Sequence, residues 1–326
     1  IPDNYPFLQH EFLVGLESSG STTADSGWQP FHITVYNEGD LVGFMPCYLK
    51  THSYGEYVFD WSWADAWQRS GLSYYPKLLS GIPFTPATGP RLLVAESIDS
   101  RKVWVSIVDW VKDFCASKKI SSWHILFPSA KDSDLLTELD CHQRSAIQFH
   151  WFNQDYSDFQ DYLSCFVSRK RKNIKKERSR IKEQAIEMEM VTGSEISPEY
   201  WSAFYDFYQM TYVKRSGHGG YLSKDFFLSV LPKMGDMVVM SVAKITSQPV
   251  AAALYFKSSN TLFGRYWGCT AEYDFLHFEA CYYQGIEYCI THGLSKFDPG
   301  AQGEHKIQRG FKPTKTYSNH FIDSIE

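Results

Sequence analysis

Two stretches of the chain share one alternation of apolar and polar residues, and each predicts a β-hairpin. Residues 31–50, FHITVYNEGDLVGFMPCYLK, read as a strand, a tight turn over 37–40 and a second strand. Residues 237–268 repeat this order, with a turn over 246–249 and a third strand over 261–267. The second strands end in PCYLK and ALYFK, which match in pattern.

A helix and a further strand follow each hairpin. Residues 98–120 place apolar side chains at helical spacing, and 121–128 then predict a strand. Residues 277–294 predict a helix that Gly293 closes, and 295–300 predict the strand after it. The repeated order predicts a mixed α/β protein built by duplication, with one unit over 1–150 and a second over 151–326.

Helical patterns also connect the two predicted units. Residues 155–184 predict one long helical stretch. Residues 197–215 predict a helix with Ser197 as N-cap and Pro198 in the first turn, and 223–234 predict a shorter helix broken near Pro232.

Composition narrows the class of protein without naming a function. The 326 residues are 44% hydrophobic and 17% aromatic with a net charge of −5, so binding to nucleic acid or acidic membrane needs a local basic patch. No apolar run is long enough for a transmembrane helix. The seven cysteines include no C-x-x-C pair, which predicts free thiols, a cytoplasmic location and no metal site. The oligomeric state is left open.

A basic run within the 155–184 stretch is the first candidate site. Nine of the fourteen residues from 169 to 182 are Lys or Arg, and only Glu177 opposes them. Like charges at this density disfavour an isolated helix, so a bound phosphate is one interpretation and a solvated helix face is the other. The candidate phosphate ligands of a tRNA, a nucleotide-linked donor or a lipid pyrophosphate are Arg169, Arg171, Lys172, Lys175 and Lys176.

An aromatic and acidic stretch over 54–67, YGEYVFDWSWADAW, is the second candidate. Trp61 and Trp63 lie between Asp60 and Asp65, a composition that suits an amine or sugar–peptide acceptor. Core packing with Asp residues as N-caps is the alternative. Downstream, Arg91 follows a Pro- and Gly-rich loop and is a candidate for binding a carboxylate or phosphate.

The segment 297–321, FDPGAQGEHKIQRGFKPTKTYSNHF, predicts an irregular active-site segment. Asp298 ends a predicted strand, at the edge where ligands usually bind, and is a candidate catalytic residue. Lys306 is suited to stabilise the oxyanion of a tetrahedral intermediate. By residue type His305 is the candidate general base, and Arg309 a candidate substrate ligand. The alternative is a solvated loop, but the matching segment of the first half, ILFPSAKDSD, carries no such cluster.

Arg265, at a predicted strand position, is either a buried ion-pair partner or a substrate ligand. No Ser-His-Asp or Cys-His signature is present, so direct attack of an amine on the acyl donor is expected.

Several strings together resemble the bacterial predicted N-acyltransferases labelled as peptidoglycan biosynthesis or recognition proteins, relatives of the Fem aminoacyl-tRNA-dependent transferases. They are HSYGEYVFDWSWADAW (52–67), PFTPATGPRLL (83–93), QFHWFN (148–153), SRKRKNIKKER (168–178), RYWG (265–268), LHFEACYYQGIEYCI (276–290) and PGAQGEHKIQRGF (299–311). The resemblance implies two GNAT-like (acetyltransferase-fold) units in tandem. It also implies a basic helix that opens the second unit and an oxyanion-stabilising lysine at the position of Lys306.

The donor suggested by this resemblance is not a standard acetyl-CoA. The pyrophosphate loop R/Q-x-x-G-x-G/A of common acetyltransferases is absent from the sequence. No cofactor is expected, and aminoacyl-tRNA or an acyl-CoA bound in another way is the expected co-substrate.

The leading hypothesis is therefore an N-acyltransferase that forms an amide on an amine-bearing small molecule, peptide or peptidoglycan precursor. A non-catalytic module that binds cell-wall fragments or nucleotide conjugates is the main alternative. An RNA-binding protein that uses the basic run alone is a third.

Overall fold

A computed structural model describes residues 1–301 and 303–322, and contacts divide the chain into two compact units. The N-unit comprises Gly20–Ile147 and Lys315–Glu326, and the C-unit comprises Ile1–Ser19 and Gln148–Thr314. The predicted units are 1–150 and 151–326. In the structure residues 1–19 belong to the C-unit and residues 315–326 to the N-unit. The contact units follow packing, whereas the predicted units follow the internal repeat, so the duplication boundary stays a prediction.

The N-unit contains a mixed sheet and a small antiparallel sheet. In the mixed sheet β5 and β7 are parallel and the other neighbours are antiparallel, in the order β1-β4-β5-β7-β14. The small sheet has the order β2-β3-β6. The strands are β1 (Trp28–Pro30), β2 (Ile33–Asn37), β3 (Asp40–Met45), β4 (Tyr48–Lys50), β5 (Lys77–Ser80), β6 (Leu93–Val94), β7 (Ser122–Leu126) and, with residues in both units, β8 (His142–Phe152) and β14 (Lys312–Ile322).

Three helices complete the N-unit. They are α2 (Trp61–Arg69), α3 (Ser100–Lys118) and α4 (Ala130–Glu138), which follow α1 (His10–Ser18) of the C-unit. The apolar face of α3 packs into a core with β5 and β7 that includes Trp104, Ile107 and Trp123. By contrast, α2 has no buried residue, so packing against a core does not explain its three tryptophans.

The C-unit has a sheet in the order β8-β13-β12-β11-β10-β9, in which only β12 and β13 are parallel. Its other strands are β9 (Glu187–Thr192), β10 (Val238–Ile245), β11 (Gln248–Lys257), β12 (Thr261–Cys269) and β13 (Lys296–Asp298). Its other helices are α5 (Phe159–Ser164), α6 (Ser168–Glu183), α7 (Pro198–Ser216), α8 (Leu276–Phe278) and α9 (Gln284–Thr291), with π-helical turns over Phe226–Val230 and Glu279–Tyr283 and 3-10 turns over Pro2–Asn4, Pro6–Leu8, Gly193–Glu195, Leu231–Met237 and Glu304–Arg309.

Both predicted hairpin turns and the helix and strand after each hairpin are confirmed. The second strand of the first hairpin is two strands instead of one, because β3 ends at Met45 and β4 joins β1 and β5 in the mixed sheet. Two further predicted elements differ. The stretch 155–184 is two helices rather than one, because α5 ends at Ser164 and α6 begins at Ser168. The segment 297–321 is not irregular throughout: it contains a 3-10 turn and the first ten residues of β14. Gln302, inside that segment, lies outside the described residues.

No helix in the described ranges is both long and apolar enough to span a membrane. All seven cysteines are free, and four of them are buried: Cys47, Cys115, Cys141 and Cys289.

Candidate functional site

Asp298 ends β13 in the C-unit, as predicted from the sequence, and its carboxylate is fully buried. Its Oδ2 lies 3.4 Å from Nη2 of Arg265, and its Oδ1 accepts a hydrogen bond of 2.9 Å from the amide of Gly300. Nε2 of His150 lies 3.6 Å from Oδ1. Burial raises the pKa of Asp298, but Arg265 and the other neighbouring positive charges lower it to about 2. Asp298 is therefore ionised, and Arg265 is its buried ion-pair partner.

Lys306 lies on the 3-10 turn after β13, and only 2% of the residue is exposed. Its Nζ donates to the carbonyl oxygens of Gly300 at 2.8 Å and Ala301 at 3.4 Å. Burial lowers the pKa of Lys306 to about 8, with Asp298 opposing this shift. An ammonium has three N–H donors, so one remains beyond these two contacts.

Arg309, three residues further, fixes the turn to α6. Its Nη2 donates to both carboxylate oxygens of Glu177, at 2.8 and 3.0 Å, and its Nε donates to the hydroxyl of Tyr283 at 3.0 Å. The guanidinium carbon lies 3.4 Å from the centre of the Phe278 ring. These contacts occupy Arg309 with its own protein, so they favour a structural role over the predicted substrate contact.

His305 is exposed on the same turn, but its Nε2 is 2.9 Å from the hydroxyl of Tyr282. Burial, Arg309 and Lys306 lower the pKa of His305, so its imidazole is neutral near pH 7. Gly303 has a φ of +99°, and a Cβ there would lie 2.7 Å from Cε1 of His305. A glycine is therefore required for the ring to occupy this position.

Helix α6 presents a buried side and a basic side. Ile174 and Ile181 are buried, and on the same side Arg178 donates to Glu279 and Glu287. The five predicted phosphate ligands form no ion pair with any residue in 1–301 and 303–322: Arg169, Arg171, Lys172, Lys175 and Lys176. At 100° per residue Arg169, Lys172, Lys175 and Lys176 lie on the side of the helix away from Ile174 and Ile181, whereas Arg171 lies about 60° from Ile174, toward the buried side. The arrangement concentrates uncompensated positive charge on one exposed face.

A second polar cluster lies in the N-unit, around Lys77 at the start of β5. The Lys77 side chain is fully buried, and its Nζ donates to Ser53 at 2.7 Å, to Glu56 at 2.8 Å and to the carboxylate of Asp60. Asp60 precedes α2 but does not cap it, because its carboxylate turns to Lys77 instead. Burial raises the pKa of Glu56 and, in the same surroundings, lowers that of Lys50, whose Nζ is 3.5 Å from the centre of the Trp28 ring.

The cluster continues from Asp60 through Tyr74 to two histidines. The Tyr74 hydroxyl donates to Asp60 at 2.7 Å and lies 3.1 Å from Nε2 of His124. The Nδ1 atoms of His124 and His320 are 2.6 Å apart, since these residues face each other across β7 and β14. Burial lowers the pKa of His124 and lowers that of His320 to about 3, so both are neutral. The Trp63 ring packs on His320 at 4.9 Å.

The remaining predicted site residues lie apart from this cluster. Trp61 is 43% exposed, and Asp65 pairs with Arg69 on the exposed surface of α2. Arg91 is buried and donates to the backbone carbonyls of Ala87, Gly89, Pro90 and Leu126. Binding a substrate would require Arg91 to give up these bonds, so its position favours a role in holding the loop.

Sequence reasoning missed Lys50, Lys77, Tyr74, His124 and His320. A signal was present for two of them: Lys77 begins a largely apolar strand, KLLS, and His124 interrupts the largely apolar strand SWHIL, whereas His320 follows a polar stretch, KPTKTYSN, and gives no such signal. Charged or titratable groups at such positions need partners, but a sequence does not say which partners they have.

Replacing Asp298 by Asn is expected to lower the free energy of unfolding by about 2 kcal/mol at pH 7. The pKa of Asp298 falls on folding from 3.8 to about 2, so its stabilising effect is full above about pH 4 and is lost as the pH falls toward 2. Urea unfolding of wild type and D298N at pH 7, 4 and 3 should show the difference shrinking below pH 4. The exposed D65N variant is the control, and a gap independent of pH would contradict the assignment.

Comparison with known proteins assigns the chain to a family. A model of the FemAB-like family, described as peptidoglycan biosynthesis/recognition, matches residues 2–326. No curated protein matches the sequence significantly.

Solved structures show the same fold at low identity. The crystal structure of FemX is similar with a TM-score of 0.56 at 12% identity, over 94% of this chain and 90% of that chain. The C-terminal domain of a putative lysylphosphatidylglycerol synthetase from Agrobacterium fabrum has a TM-score of 0.55 at 11% identity, over 95% and 92%. L-PGS from Bacillus licheniformis has a TM-score of 0.56 at 10% identity, over 96% and 91%.

The predicted mixed α/β class with a tandem GNAT-like fold is confirmed by these similarities, and so is the family suggested by the sequence strings. The chain belongs to the FemAB-like family, described as peptidoglycan biosynthesis/recognition.

Proposed function

We infer that this protein is an N-acyltransferase that joins an activated acyl or aminoacyl group to an amine acceptor. The observation that carries this proposal is the buried ammonium of Lys306, held on the turn after β13 by two backbone carbonyls with one N–H remaining. A preorganised cation with restricted access to water is suited to stabilise the negative charge of a tetrahedral acyl intermediate.

The reaction balances without a cofactor. The lone pair of the amine nitrogen attacks the acyl carbon, and the carbonyl oxygen takes the negative charge beside Lys306. This attack forms the C–N bond, and collapse of the intermediate restores the C=O bond and breaks the C–O bond of an aminoacyl ester or the C–S bond of a thioester. The proton lost by nitrogen leaves with the departing alcohol or thiol. Positioning and oxyanion stabilisation are sufficient for this chemistry.

Within this proposal Asp298 serves as an anchor rather than as a base. Its carboxylate holds Arg265 at 3.4 Å, and the amide of Gly300 binds its other oxygen, so it orients the segment on which Lys306 depends. A carboxyl with a pKa of about 2 is a weak proton acceptor near neutral pH.

The basic face of α6 supports a donor that carries phosphate, namely aminoacyl-tRNA or acyl-CoA. Between these, aminoacyl-tRNA is favoured, because charged side chains along α6 suit an extended phosphate backbone. One structural neighbour is named a putative lysylphosphatidylglycerol synthetase, and the product in that name carries a lysyl group, which is an aminoacyl group. For the acceptor, a peptidoglycan precursor is the substrate class that the family description suggests.

A direct assay tests the reaction. The purified protein is incubated with aminoacyl-tRNA or with acyl-CoA and a panel of amines that includes muropeptides, and amide products are identified by mass spectrometry. Formation of an amide from either donor supports the proposal, and the donor used distinguishes the two classes. Binding of muropeptides in calorimetry without turnover of any donor would favour a binding module instead.

Neutralising the basic face is expected to weaken tRNA binding by at least about tenfold at low salt, because the variant has fewer cations to pair with phosphates. Filter binding across a salt series should show a steep negative slope for wild type and a shallower one for the variant, by about 0.7 to 0.9 for each phosphate that the variant no longer neutralises. The variant combines R169Q, K172Q, K175Q and K176Q. The control removes as many exposed charges elsewhere, with K102Q, K118Q, K131Q and K233Q.

The α6 variant and the control variant change the net charge by the same amount. A difference in tRNA binding between them therefore reports a local site on α6 and not the total charge of the protein. An equal weakening of binding in both would show that α6 has no special role, and a flat salt dependence of wild type would remove the tRNA donor.

A further inference from the structure

Four side chains of the C-unit form a continuous hydrogen-bonded row that ends at His305. Sγ of Cys281 lies 3.4 Å from Nδ1 of His277. Nε2 of His277 lies 3.4 Å from the hydroxyl oxygen of Tyr282, and that oxygen lies 2.9 Å from Nε2 of His305. The π-helical turn over Glu279–Tyr283 carries Cys281 and Tyr282, and the row connects it to the turn that carries Lys306.

Cys281 and His277, at the end of the row away from His305, determine which atom donates in each hydrogen bond. Desolvation raises the pKa of the Cys281 thiol, so the thiol keeps its hydrogen near neutral pH. Among the described residues Nδ1 of His277 is the hydrogen-bond partner found for Sγ, so we assign the thiol as the donor. His277 packs against the Trp267 ring at 5.4 Å, and burial lowers its pKa to about 4, so it is neutral and carries a single N–H. With Nδ1 accepting, that hydrogen is on Nε2 and points to the oxygen of Tyr282.

The outer end follows from the same count of hydrogens. Tyr282 has one hydroxyl hydrogen, and with Nε2 of His277 donating, Nε2 of His305 is the acceptor found for that hydrogen among the described residues, so the hydrogen goes to His305. Burial raises the pKa of Tyr282, so the phenol keeps this hydrogen. His305 is then the tautomer with its hydrogen on Nδ1. Within residues 1–301 and 303–322 no hydrogen-bond partner of Nδ1 is found.

The surroundings of His305 favour this neutral form. Lys306 and Arg309 are on the same turn, and both oppose a further positive charge. The Phe278 and Tyr282 rings pack against the imidazole, with centroids 5.6 and 5.7 Å from it. A neutral imidazole with Nδ1–H exposed is a hydrogen-bond donor at that atom and has no lone pair there to take a proton.

We propose that Tyr282 is a positioning residue that fixes His305 as a hydrogen-bond donor, so that Nδ1–H supplements Lys306 at the acyl oxygen. The inference rests on the acyl transfer proposed above. It replaces the general base predicted at His305 by an electrophilic role, with no proton transferred to the imidazole. The nucleophilic amine then loses its proton to the leaving group.

Tautomers are measured directly by long-range ¹H–¹⁵N correlation of the histidine side chains, with His305 and His277 assigned from H305N and H277N. Wild type at pH 7 is expected to show His305 neutral with Nδ1 protonated, and His277 with Nε2 protonated. Tyr282→Phe removes only the hydroxyl and should shift His305 toward the Nε2-protonated tautomer. A wild-type His305 that is charged or protonated on Nε2 would overturn the relay.

Kinetics of three substitutions at His305 then separate a donor from a base. Asparagine places an amide N–H near the position of Nδ1, so H305N should stay within about tenfold of wild-type kcat, whereas H305Q and H305A should each fall by about 10²-fold. Equal reductions of kcat in all three variants would contradict the donor role.

The tautomer measurement and the transfer assay test different parts of the proposal, so their negative results can be told apart. If wild type shows the expected tautomers but transfers no acyl group, the proposed function and the role of Nδ1–H fall together while the relay stands. If transfer is observed and the tautomers are wrong, the relay alone is overturned.

Discussion

Replacing Lys306 by methionine is expected to lower kcat for amide formation by about 10²- to 10³-fold, the usual cost of losing one group that stabilises an oxyanion. Methionine keeps most of the length and apolar volume of lysine but cannot donate to Gly300 or to a substrate. Lys312→Met is the matched control, because Lys312 is exposed on β14 a few residues away. Rates measured with saturating donor and acceptor, with circular dichroism to confirm folding, decide the outcome. Similar rates for K306M and K312M would refute the assignment.

The pH dependence of kcat provides a second readout of Lys306. Its pKa of about 8 lies well below the ordinary value of 10.5, mainly because of burial. Stabilisation of an oxyanion needs the protonated form, so kcat should decline as the pH rises through about 8. Lys306→Arg keeps its charge to far higher pH and should lose this decline, whatever its absolute rate. A wild-type profile that still rises above pH 9 would exclude an ammonium at the reaction centre.

Replacing Lys77 by methionine is expected to lower the free energy of unfolding by about 3–5 kcal/mol, the largest effect on stability that we predict. Lys77 is fully buried between the carboxylates of Glu56 and Asp60, and Asp60 has a second buried oxygen without a hydrogen-bond partner among the described residues. Removing the cation leaves the buried Asp60 carboxylate without its ion-pair partner, and Glu56, whose pKa is already raised to about 7 by burial, loses the charge that favours its ionised form. Urea unfolding followed by tryptophan fluorescence measures the change.

The exposed pair of Arg101 and Glu138 is the control for Lys77. Its atoms approach to 2.8 Å, but both side chains are 58% exposed, so Arg101→Met should cost no more than about 1 kcal/mol. Adding Asp60→Asn to K77M should recover part of the stability, because the unpaired buried charge of Asp60 is then absent. A cost of K77M no greater than that of R101M would mean that water or a rearranged side chain compensates the carboxylates.

The Lys77 cluster changes how the two halves of the chain compare. From the sequence, the cations after β13 distinguish the second half from the first. In the structure the N-unit carries its own buried network from Lys50 to His320, assembled from first-half residues and one residue near the C-terminus. A stretch such as ILFPSAKDSD contains none of these residues, so comparison of aligned segments had no means of finding the network.

The site in the C-unit was predictable in part. The position of Lys306 after the last strand of the repeat was evident from the order of elements and from the resemblance to a family. The assignment of Arg309 was not, because its partners Glu177 and Tyr283 come from two other helices. The π-helical turn that directs Tyr282 toward His305 and Tyr283 toward Arg309 leaves no clear periodic signal in the sequence.

The sequence by itself determined the local elements: both hairpins, the helices with capping residues such as Ser197, and a basic face on α6 that no nearby acid neutralises. These depend on periodicity and on neighbours within a few residues, which a linear pattern records. Only the tertiary structure decided which titratable groups are buried and paired, such as Asp60 with Lys77, Asp298 with Arg265 and His124 with His320. The physical reason is that a pKa and a hydrogen-bond direction depend on desolvation and on partners brought together by strand register, which separation along the chain does not encode.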